Sequence, residues 1–321
     1  MERNRQVVSV LKKADAPEKL NLYSLRDLEH RLGFSRHYLR QIATEPAAYY
    51  HPFDLPKAPR PFARIKQKPK FRRIDRPTGA LRDIQDRIYY RLLRNLKLPD
   101  YLCGGVKGKT VMMNVRLHNG APVLVTMDIK SWFPSITPAH VYRAFRRVLN
   151  CSRHVAKLLT ALTTFEGRLP QGASTSSAVA NLVLFSVDKP VRARADQLGV
   201  SYSSWVDDLP FSGEHARQLI PVTISTLKRA GFQIARSKLV VMGYGKRKVV
   251  NGIVLGTVPS ASKESRARLR AALHRLSAGD IIDTEREHYI LTLKGRILHL
   301  QSVNPNQAER FQAELAQIVK R

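Results

Sequence analysis

Asp207 and Asp208 form an adjacent acidic pair within an otherwise aromatic and apolar segment, Ser201–Ser212. Alternating apolar residues precede the pair and a short apolar run follows it, a pattern typical of a β-hairpin with the acids at its tip. A third acid, Asp128, ends the apolar run 123–128, which has the composition of a strand. We therefore expect two strand ends to bring three carboxylates together.

Converging carboxylates on rigid strands suit a pair of divalent cations about 3.5–4 Å apart, which stabilises the attacking and leaving oxygens of phosphoryl or nucleotidyl transfer. Hard oxygen ligands favour Mg²⁺, or Mn²⁺, over zinc. An isolated Asp-Asp pair is also common in turns and at solvated strand edges. The charge of the whole chain helps to decide between these interpretations.

Lys and Arg number 55 against 25 acidic residues, which gives a net charge of +30 over 321 residues. Such self-repulsion destabilises a fold unless a polyanionic partner relieves it, so nucleic acid is the expected partner. The chain has no apolar run of about 18 residues and no signal-peptide core at its start, so we expect no membrane association. Two cysteines, Cys103 and Cys151, are too few for a disulfide framework or a cysteine metal site and fit a reducing cytoplasm.

Apolar periodicity predicts the elements that must position the acids. Helices are predicted after a Ser24 cap and over 36–43, followed by a Pro-rich loop or extended hairpin over 52–69. The remaining predicted elements are an amphipathic helix over 80–96, strands at 122–128, 200–206, 239–242 and 248–255, helices at 138–149, 152–163, 174–187 and 214–230, and a basic helical region over 263–321. Few strands, mostly joined by hairpins and interleaved with helices, indicate an α+β domain with an appended helical module.

Several consecutive segments resemble the finger and palm motifs of reverse transcriptases, particularly those of the bacterial retron type. The matching segments, in chain order, are Phe71–Pro77 with the helix that contains Ile84 and Gln85, Met127–Ile136, Leu169–Ser177 with Ala180–Leu182, Trp205–Asp208, and Gly231–Lys238. The resemblance implies a right-hand polymerase with an antiparallel palm sheet. It also implies a division into an N-terminal helical region at 1–60, fingers at 61–121, a palm at 122–258 and a helical thumb at 259–321.

The resemblance also implies roles for residues around the acids. Asp128 and Asp207 would bind the metal ions, with Asp208 assisting as a ligand or as a nearby charge. Lys238 would approach the leaving pyrophosphate as a cation or general acid. Arg72, with Arg73, would hold phosphate oxygens, because a guanidinium group meets a phosphate bidentately.

Other residues would contact the incoming nucleotide. The backbone at Ile129, directly after Asp128, would hold the triphosphate. Phe133 would exclude a ribose 2′-hydroxyl by its bulk, or else pack in the core. Gln171 and Gly172 would lie under the new base pair.

Two further segments are similar to elements typical of retron enzymes. Asn114–His118 resembles an Asn-Ala-x-x-His element, and its two polar residues would either contact RNA or form a structural pair. Val250, Asn251 and Gly252 stand where those enzymes carry Val-Thr-Gly, which is implicated in recognising their cognate RNA. Arg266 and Arg270, on the basic C-terminal helices, are expected to contribute phosphate contacts.

The resemblance thus implies an RNA-directed DNA polymerase that copies part of a structured non-coding RNA, which serves as both primer and template. Its substrates would be dNTPs and its product an RNA–DNA hybrid. A role in phage defence with a separate effector or toxin protein follows by analogy alone. Two alternatives stay open: another bacterial defence or abortive-infection polymerase with untemplated synthesis, and a catalytically idle RNA-binding scaffold.

Overall fold

The computed structural model describes residues 16–56 and 71–320. Residues 57–69 of the predicted Pro-rich segment lie outside these ranges, as do the first five residues of the lysine- and arginine-rich segment 66–73. None of the described helices combines the length and apolar character needed to span a membrane.

The N-terminal part consists of helices packed beside a two-stranded hairpin. Its elements are α1 (Leu25–Leu32), α2 (Arg36–Thr44), β1 (Tyr50–Pro56), β2 (Phe71–Pro77) and α3 (Gly79–Ile88). Ser24 begins α1 with a capping box, since its side chain accepts from the Asp27 amide and the Asp27 side chain accepts from the Ser24 amide. This cap and the helix beginning at Arg36 confirm the sequence prediction. The start of the segment predicted as a loop or extended hairpin belongs to strand β1, which pairs antiparallel with β2 and so agrees with the hairpin alternative.

The central part places a small sheet against a layer of helices. Its elements are α4 (Val111–Arg116), β3 (Leu124–Asp128), α5 (Trp132–Ser135), α6 (Pro138–Arg143), α7 (Arg153–Thr163), α8 (Ser176–Val187), α9 (Lys189–Gln197), β4 (Ser201–Tyr202), β5 (Asp208–Ser212), α10 (Leu219–Arg229) and β6 (Val240–Met242). The sheet is antiparallel with the order β4-β5-β3-β6. The predicted strand over 200–206 is shorter than expected, because after Tyr202 the chain makes only isolated bridges.

The C-terminal part begins with a three-stranded sheet of very short strands and continues as three helices. These elements are β7 (Val249–Val250), β8 (Ile253–Val254), β9 (Ser260–Ala261), α11 (Lys263–Ser277), α12 (Asp283–Val303) and α13 (Pro305–Lys320). The single strand predicted over 248–255 is wrong. Asn251 and Gly252 have φ values of 49° and 77°, so they form a tight turn that folds the segment back into a hairpin.

The apolar core is continuous beneath the N-terminal helices and the central sheet. Leu28, Leu81, Phe145 and Phe211 are all fully buried members of this cluster. The C-terminal helices bury a separate cluster of their own around Leu273. A third, smaller cluster joins Val303 of α12 to Leu124 of β3 and Met242 of β6, so the last three helices meet the central sheet there, beside a core that is mainly their own.

The β1–β2 hairpin meets the central part at a loop that precedes α8. The amide of Asp75 donates to the carbonyl of Gln171 at 2.8 Å. The next residue, Gly172, has a φ of +117°, and a Cβ placed there would lie 2.7 Å from Cγ2 of Ile74. Gly172 is therefore required both by its backbone angle and by the close approach of β2.

Gly172→Ala is expected to lower the free energy of unfolding by about 2–4 kcal/mol, because it adds backbone strain and overpacks the junction. Gly167→Ala is the matched control: its φ is also positive, at +72°, but no atom lies within 4 Å of the added Cβ. The control should cost only about 1 kcal/mol. Urea unfolding measures both values, and equal losses would show that the Ile74 contact does not matter.

Candidate active site

The three predicted carboxylates meet at one end of the central sheet. Asp128 ends β3, Asp208 begins β5, and the two are directly opposite in the antiparallel register. Asp207 precedes Asp208 in the hairpin turn, and its carbonyl accepts from the amide of Ile129 at 2.9 Å. The prediction of a hairpin with acids at its tip beside the end of a neighbouring strand is confirmed.

A strained two-residue turn presents this acidic pair. Trp205 and Asp208 exchange backbone hydrogen bonds of 2.8 and 3.1 Å across Val206 and Asp207. Val206 has a φ of 63°, a position that turns of this kind normally give to glycine and that is unfavourable for a β-branched side chain. The surrounding structure must therefore hold the turn in a conformation that is unfavourable for Val206.

The segment around Gly104 packs against the strained turn. Cys103 donates its amide to the carbonyl of Ser204 at 2.9 Å. A Cβ on Gly104 would lie 2.4 Å from the amide nitrogen of Val206, so no other residue fits here without a shift. The buried Asn181 side chain donates to the carbonyl of Gly104 at 2.8 Å and fixes this segment to α8.

Electrostatic repulsion is concentrated at the hairpin tip. Burial raises the pKa of Asp207 above its ordinary value, and the charge of Asp128 raises it further. Burial, together with the charges of Asp207 and Asp128, raises the pKa of Asp208 to about 7. The site therefore binds protons or cations more readily than isolated carboxylates do.

Lys238 supplies one positive charge to this group. Its Nζ lies 2.5 Å from Oδ2 of Asp128, whose side chain is 7% exposed. Partial burial alone would lower the pKa of Lys238, but the hydrogen bond to Asp128 and the three acidic charges raise it above its ordinary value. Lys238 is therefore a protonated ammonium group at neutral pH.

The three carboxylates offer the oxygen donors that a hard divalent cation prefers, but their arrangement in this structure does not form a complete metal site. Across residues 16–56 and 71–320, no three His, Cys, Asp or Glu side chains are grouped closely enough to hold a metal ion. Asp128 is bonded to Lys238 instead, and Asp208 accepts from Nδ2 of Asn251 at 3.2 Å. The chemistry fits nonetheless, because the donors are carboxylate oxygens whose mutual repulsion a cation would relieve.

The two predicted phosphate-binding arginines have different surroundings. The positive charge of Arg72 slightly lowers the pKa of Asp207, so the two side chains lie within electrostatic range of each other. Arg73 bonds to Asp75 at 2.8 Å and to Glu166 at 3.0 Å. Arg73 thus belongs to an ion-pair group at the hairpin junction, whereas Arg72 is exposed on β2.

The other predicted nucleotide contacts surround the same sheet end. The amide of Ile129 is already bonded to Asp207 and its side chain is fully buried, so it cannot hold a triphosphate as predicted. Phe133 is half-buried against the core next to the buried Trp132. Gln171 is half-buried, and its carbonyl anchors β2 as described above.

The predicted RNA contacts need correction at three positions. Asn114, His118 and Val250 are at most 1% exposed, so their side chains offer no surface to RNA. The structural alternative for Asn114 and His118 agrees with this burial. Asn251 is half-buried and Gly252 is exposed in the β7–β8 turn.

The arginines predicted on the first C-terminal helix differ in exposure. Arg270 is exposed on α11, whereas Arg266 is half-buried. Nε of Arg266 is buried without a hydrogen-bond partner among the residues that the structure describes. Arg270 is therefore the more accessible of the two for a phosphate contact.

Sequence reasoning missed several residues that support the site. Gly104 supports the strained turn, and Ser203 and Ser212 are buried hydroxyl groups in and beside the hairpin that carries the acidic pair. The two serines carried a usable signal, since small polar residues within an apolar hairpin require buried partners. Gly104 carried only the weaker signal of the Gly104-Gly105 pair, which is common in turns.

The sequence of this chain is similar to those of known reverse transcriptases. A family model described as reverse transcriptase (RNA-dependent DNA polymerase) matches residues 56–264, more than half of the chain. The Retron Mx65 reverse transcriptase of Myxococcus xanthus is 29% identical over 301 residues, covering 87% of this chain and 67% of that protein. The Retron Se72 reverse transcriptase of Salmonella heidelberg is 26% identical over 309 residues, covering 92% and 79%.

A solved structure with a similar arrangement is telomerase from Candida albicans in complex with a TWJ fragment of telomeric RNA. It aligns with a TM-score of 0.48 and 9% identity. The alignment covers 89% of this chain and 62% of that chain, so less than two thirds of the telomerase is matched.

Asp208→Asn is expected to stabilise the protein at pH 8 in the absence of divalent cations. The folded-state pKa of about 7 lies above the ordinary value of 3.8, so the ionised carboxylate opposes folding above pH 7 and this cost disappears as the pH falls toward 3.8. The gain in the free energy of unfolding should be on the order of 2–4 kcal/mol at pH 8 and should shrink at pH 5.

Urea unfolding in a chelator at both pH values measures this gain. Asp196→Asn, at an exposed acid on α9, is the control and should change little. A destabilised Asp208→Asn variant at pH 8 would contradict the mutual repulsion of the acids.

Proposed function

The chain belongs to the reverse transcriptase family, and from this premise we propose that it copies part of a structured non-coding RNA into DNA by two-metal nucleotidyl transfer. The chain is an RNA-directed DNA polymerase of the retron type. The α+β fold is that of a right-hand polymerase, in which the sheet β4-β5-β3-β6 is the palm. The observation that carries the proposed mechanism is the convergence of Asp128, Asp207 and Asp208.

The three carboxylates support metal binding because they lie at one end of the central sheet, offer only oxygen donors and repel one another. Asp128 and Asp207 would hold the cations, Mg²⁺ or Mn²⁺, with Asp208 beside them. When bound, such ions would stabilise the charge that develops on the attacking and leaving oxygens. The strained turn at Val206 supports this role, since it fixes the acidic pair before any ligand binds.

The remaining side chains would act on the triphosphate and the sugar. Lys238 is protonated and would stabilise the leaving pyrophosphate or donate a proton to it. The Arg72 guanidinium would bind phosphate oxygens bidentately. Phe133 would meet the ribose of the incoming dNTP, and Gln171 and Gly172 would lie under the new base pair.

The partner RNA is proposed on charge and on relationship. The net charge of +30 suits a long polyanion, and the two relatives named above are retron reverse transcriptases. Exposed basic side chains such as Arg270 would supply phosphate affinity, whereas selectivity for one folded RNA requires contacts to shape, loops and 2′-hydroxyl groups. The proposal includes a role in phage defence with a separate effector protein, by analogy with the retron type.

Asp207→Asn combined with Asp208→Asn is expected to abolish dNTP incorporation, a loss of at least about 1,000-fold, while RNA binding survives. The reason is that both acids lie at the reacting centre and the backbone turn keeps its hydrogen bonds. Primer extension with Mg²⁺ and dNTPs measures the first result, and an RNA mobility-shift assay measures the second.

The control is Asp196→Asn combined with Asp280→Asn, which removes the same charge at two exposed positions. This control should extend primers normally. Normal synthesis by the Asp207/Asp208 variant would reject the assignment and leave an RNA-binding scaffold as the better interpretation.

Phe133→Val is expected to raise rNTP use relative to dNTP use by roughly 10-fold or more, because it removes bulk from the proposed sugar contact. Steady-state incorporation of matched rNTP and dNTP substrates gives the ratio. Trp132→Phe, at the buried neighbour, is the control for core packing. Unchanged discrimination in a folded Phe133→Val variant would show that Phe133 only packs against the core.

A further inference from the structure

A line of side-chain hydrogen bonds reaches Asp208 from behind the palm sheet. Nδ2 of Asn251 donates to Oδ2 of Asp208 at 3.2 Å, and Oδ1 of Asn251 accepts from Nδ2 of Asn114 at 2.6 Å. Oδ1 of Asn114 in turn accepts from the Ser203 hydroxyl at 2.5 Å. The line thus connects the β7–β8 turn to α4 and to the catalytic hairpin.

The line continues through a buried histidine. Nε2 of His118 lies 2.7 Å from the Ser203 hydroxyl, and its Nδ1 lies 2.8 Å from the Ser212 hydroxyl. His118, Ser203 and Asn114 are completely buried and Ser212 is 2% exposed. Solvent therefore cannot replace a lost partner at these positions, and each broken bond would leave an unsatisfied polar group.

The hydrogen bond to Asp208, at one end of the line, determines which group donates and which accepts in every other bond. The ionised form of Asp208, which is the form that would bind a cation, can only accept, so Asn251 must present its amide nitrogen to it and its oxygen to Asn114. Asn114 must then donate to Asn251 and accept from Ser203, whose single proton is thereby used. Ser203 must accept from Nε2–H of His118, and Nδ1 of His118 must accept from Ser212.

This assignment requires a neutral histidine, and the surroundings provide one. Burial lowers the pKa of His118 to about 4, so the ring carries one proton at neutral pH. All donors then point toward Asp208, an arrangement in which successive bonds strengthen one another.

We propose that Asn251 is a positioning residue for polymerisation, which holds the Asp208 carboxylate in one orientation and is itself oriented by Asn114. The inference rests on the proposed role of Asp208 at the reacting centre. Asn251 suits this task because its left-handed backbone, with a φ of 49°, is fixed by the tight β7–β8 turn. Ser203 and His118 act one step further away, by fixing which way the Asn114 amide faces.

The positioning role differs from RNA contact by Asn251. Both polar atoms of the Asn251 side chain have protein partners: its oxygen accepts from Asn114 and its amide nitrogen donates to Asp208. A residue used in this way should affect the chemical step more than the affinity for the primer–template. The kinetic parameters kcat and KM therefore separate the two roles.

The test uses two Asn251 variants that suit the left-handed backbone. Asn251→Gly deletes the side chain, and Asn251→Asp keeps its shape but turns an acceptor toward Asp208. Both should lower kcat for single-nucleotide incorporation by about 10- to 100-fold, as is typical when a partner of a metal-binding side chain is lost. Asn251→Asp should lose more, and KM for the primer–template should change less than about threefold.

A double-mutant cycle tests the link through Asn114. Asn114→Ala should lower kcat by about 10-fold alone and should have no further effect in the Asn251→Gly background. Thr163→Ala, which removes another fully buried hydroxyl group on α7, controls for general destabilisation and should keep its kcat. Additive losses would show that Asn114 acts only through stability and would overturn the link.

A measurement without turnover examines the hydrogen bond itself. The side-chain amide signal of Asn251 in ¹⁵N-labelled protein is identified by its absence in Asn251→Gly, and it should shift in Asp208→Asn and in Asn114→Ala. If the chemical shift of this signal is unchanged in both variants, the inference is wrong.

The outcomes separate this inference from the proposed function. Wild-type extension by Asp208→Asn would mean that the role of Asp208 is wrong. An inactive Asp208→Asn variant together with unchanged kcat in both Asn251 variants would leave the proposed function standing and reject the positioning role. A loss confined to KM for the primer–template would likewise reject it, in favour of RNA contact by Asn251.

Discussion

The strained turn at Val206 is the constraint on which the candidate active site depends. A β-branched residue at positive φ costs on the order of 1–3 kcal/mol, and the surrounding structure must supply that energy. Gly104 and the backbone of Cys103 do so by close packing and hydrogen bonding, and Asn181 ties them to α8. The direction of the acidic pair is therefore set by helices and loops that are distant in sequence from the hairpin.

The same site is also destabilised by electrostatic repulsion. Three acids lie together, and within residues 16–56 and 71–320 only Lys238 makes a direct ion pair with them, so the palm holds a concentration of negative charge within a strongly basic chain. Electrostatic repulsion therefore destabilises the folded protein at the site of its proposed chemistry. A bound cation would relieve the repulsion among the acids. A polyanionic partner would relieve the repulsion among the basic residues of the rest of the chain.

The sequence predicted the parts of this arrangement that depend on local pattern. The hairpin, the strand that ends at Asp128 and the Ser24 cap were readable because alternation, composition and capping are short-range signals. The Asn251-Gly252 turn was missed although that dipeptide is a strong hairpin signal, because the flanking apolar residues suggested one continuous strand. Helix α9 was missed since its charged sequence, beginning Lys189-Pro190, lacks a clear apolar stripe. Contacts such as that between Asn114 and Asn251, which are 137 residues apart, have no local signature at all.

The separate apolar cluster of the last three helices has a consequence for how the protein can diversify. Leu273, Leu293 and Phe311 pack among themselves and are not members of the core that supports the palm. Substitutions on the outer faces of these helices can therefore accumulate without disturbing the geometry of the acids. Such a division would let a lineage drift toward new nucleic-acid partners while its chemical step stays under separate selection.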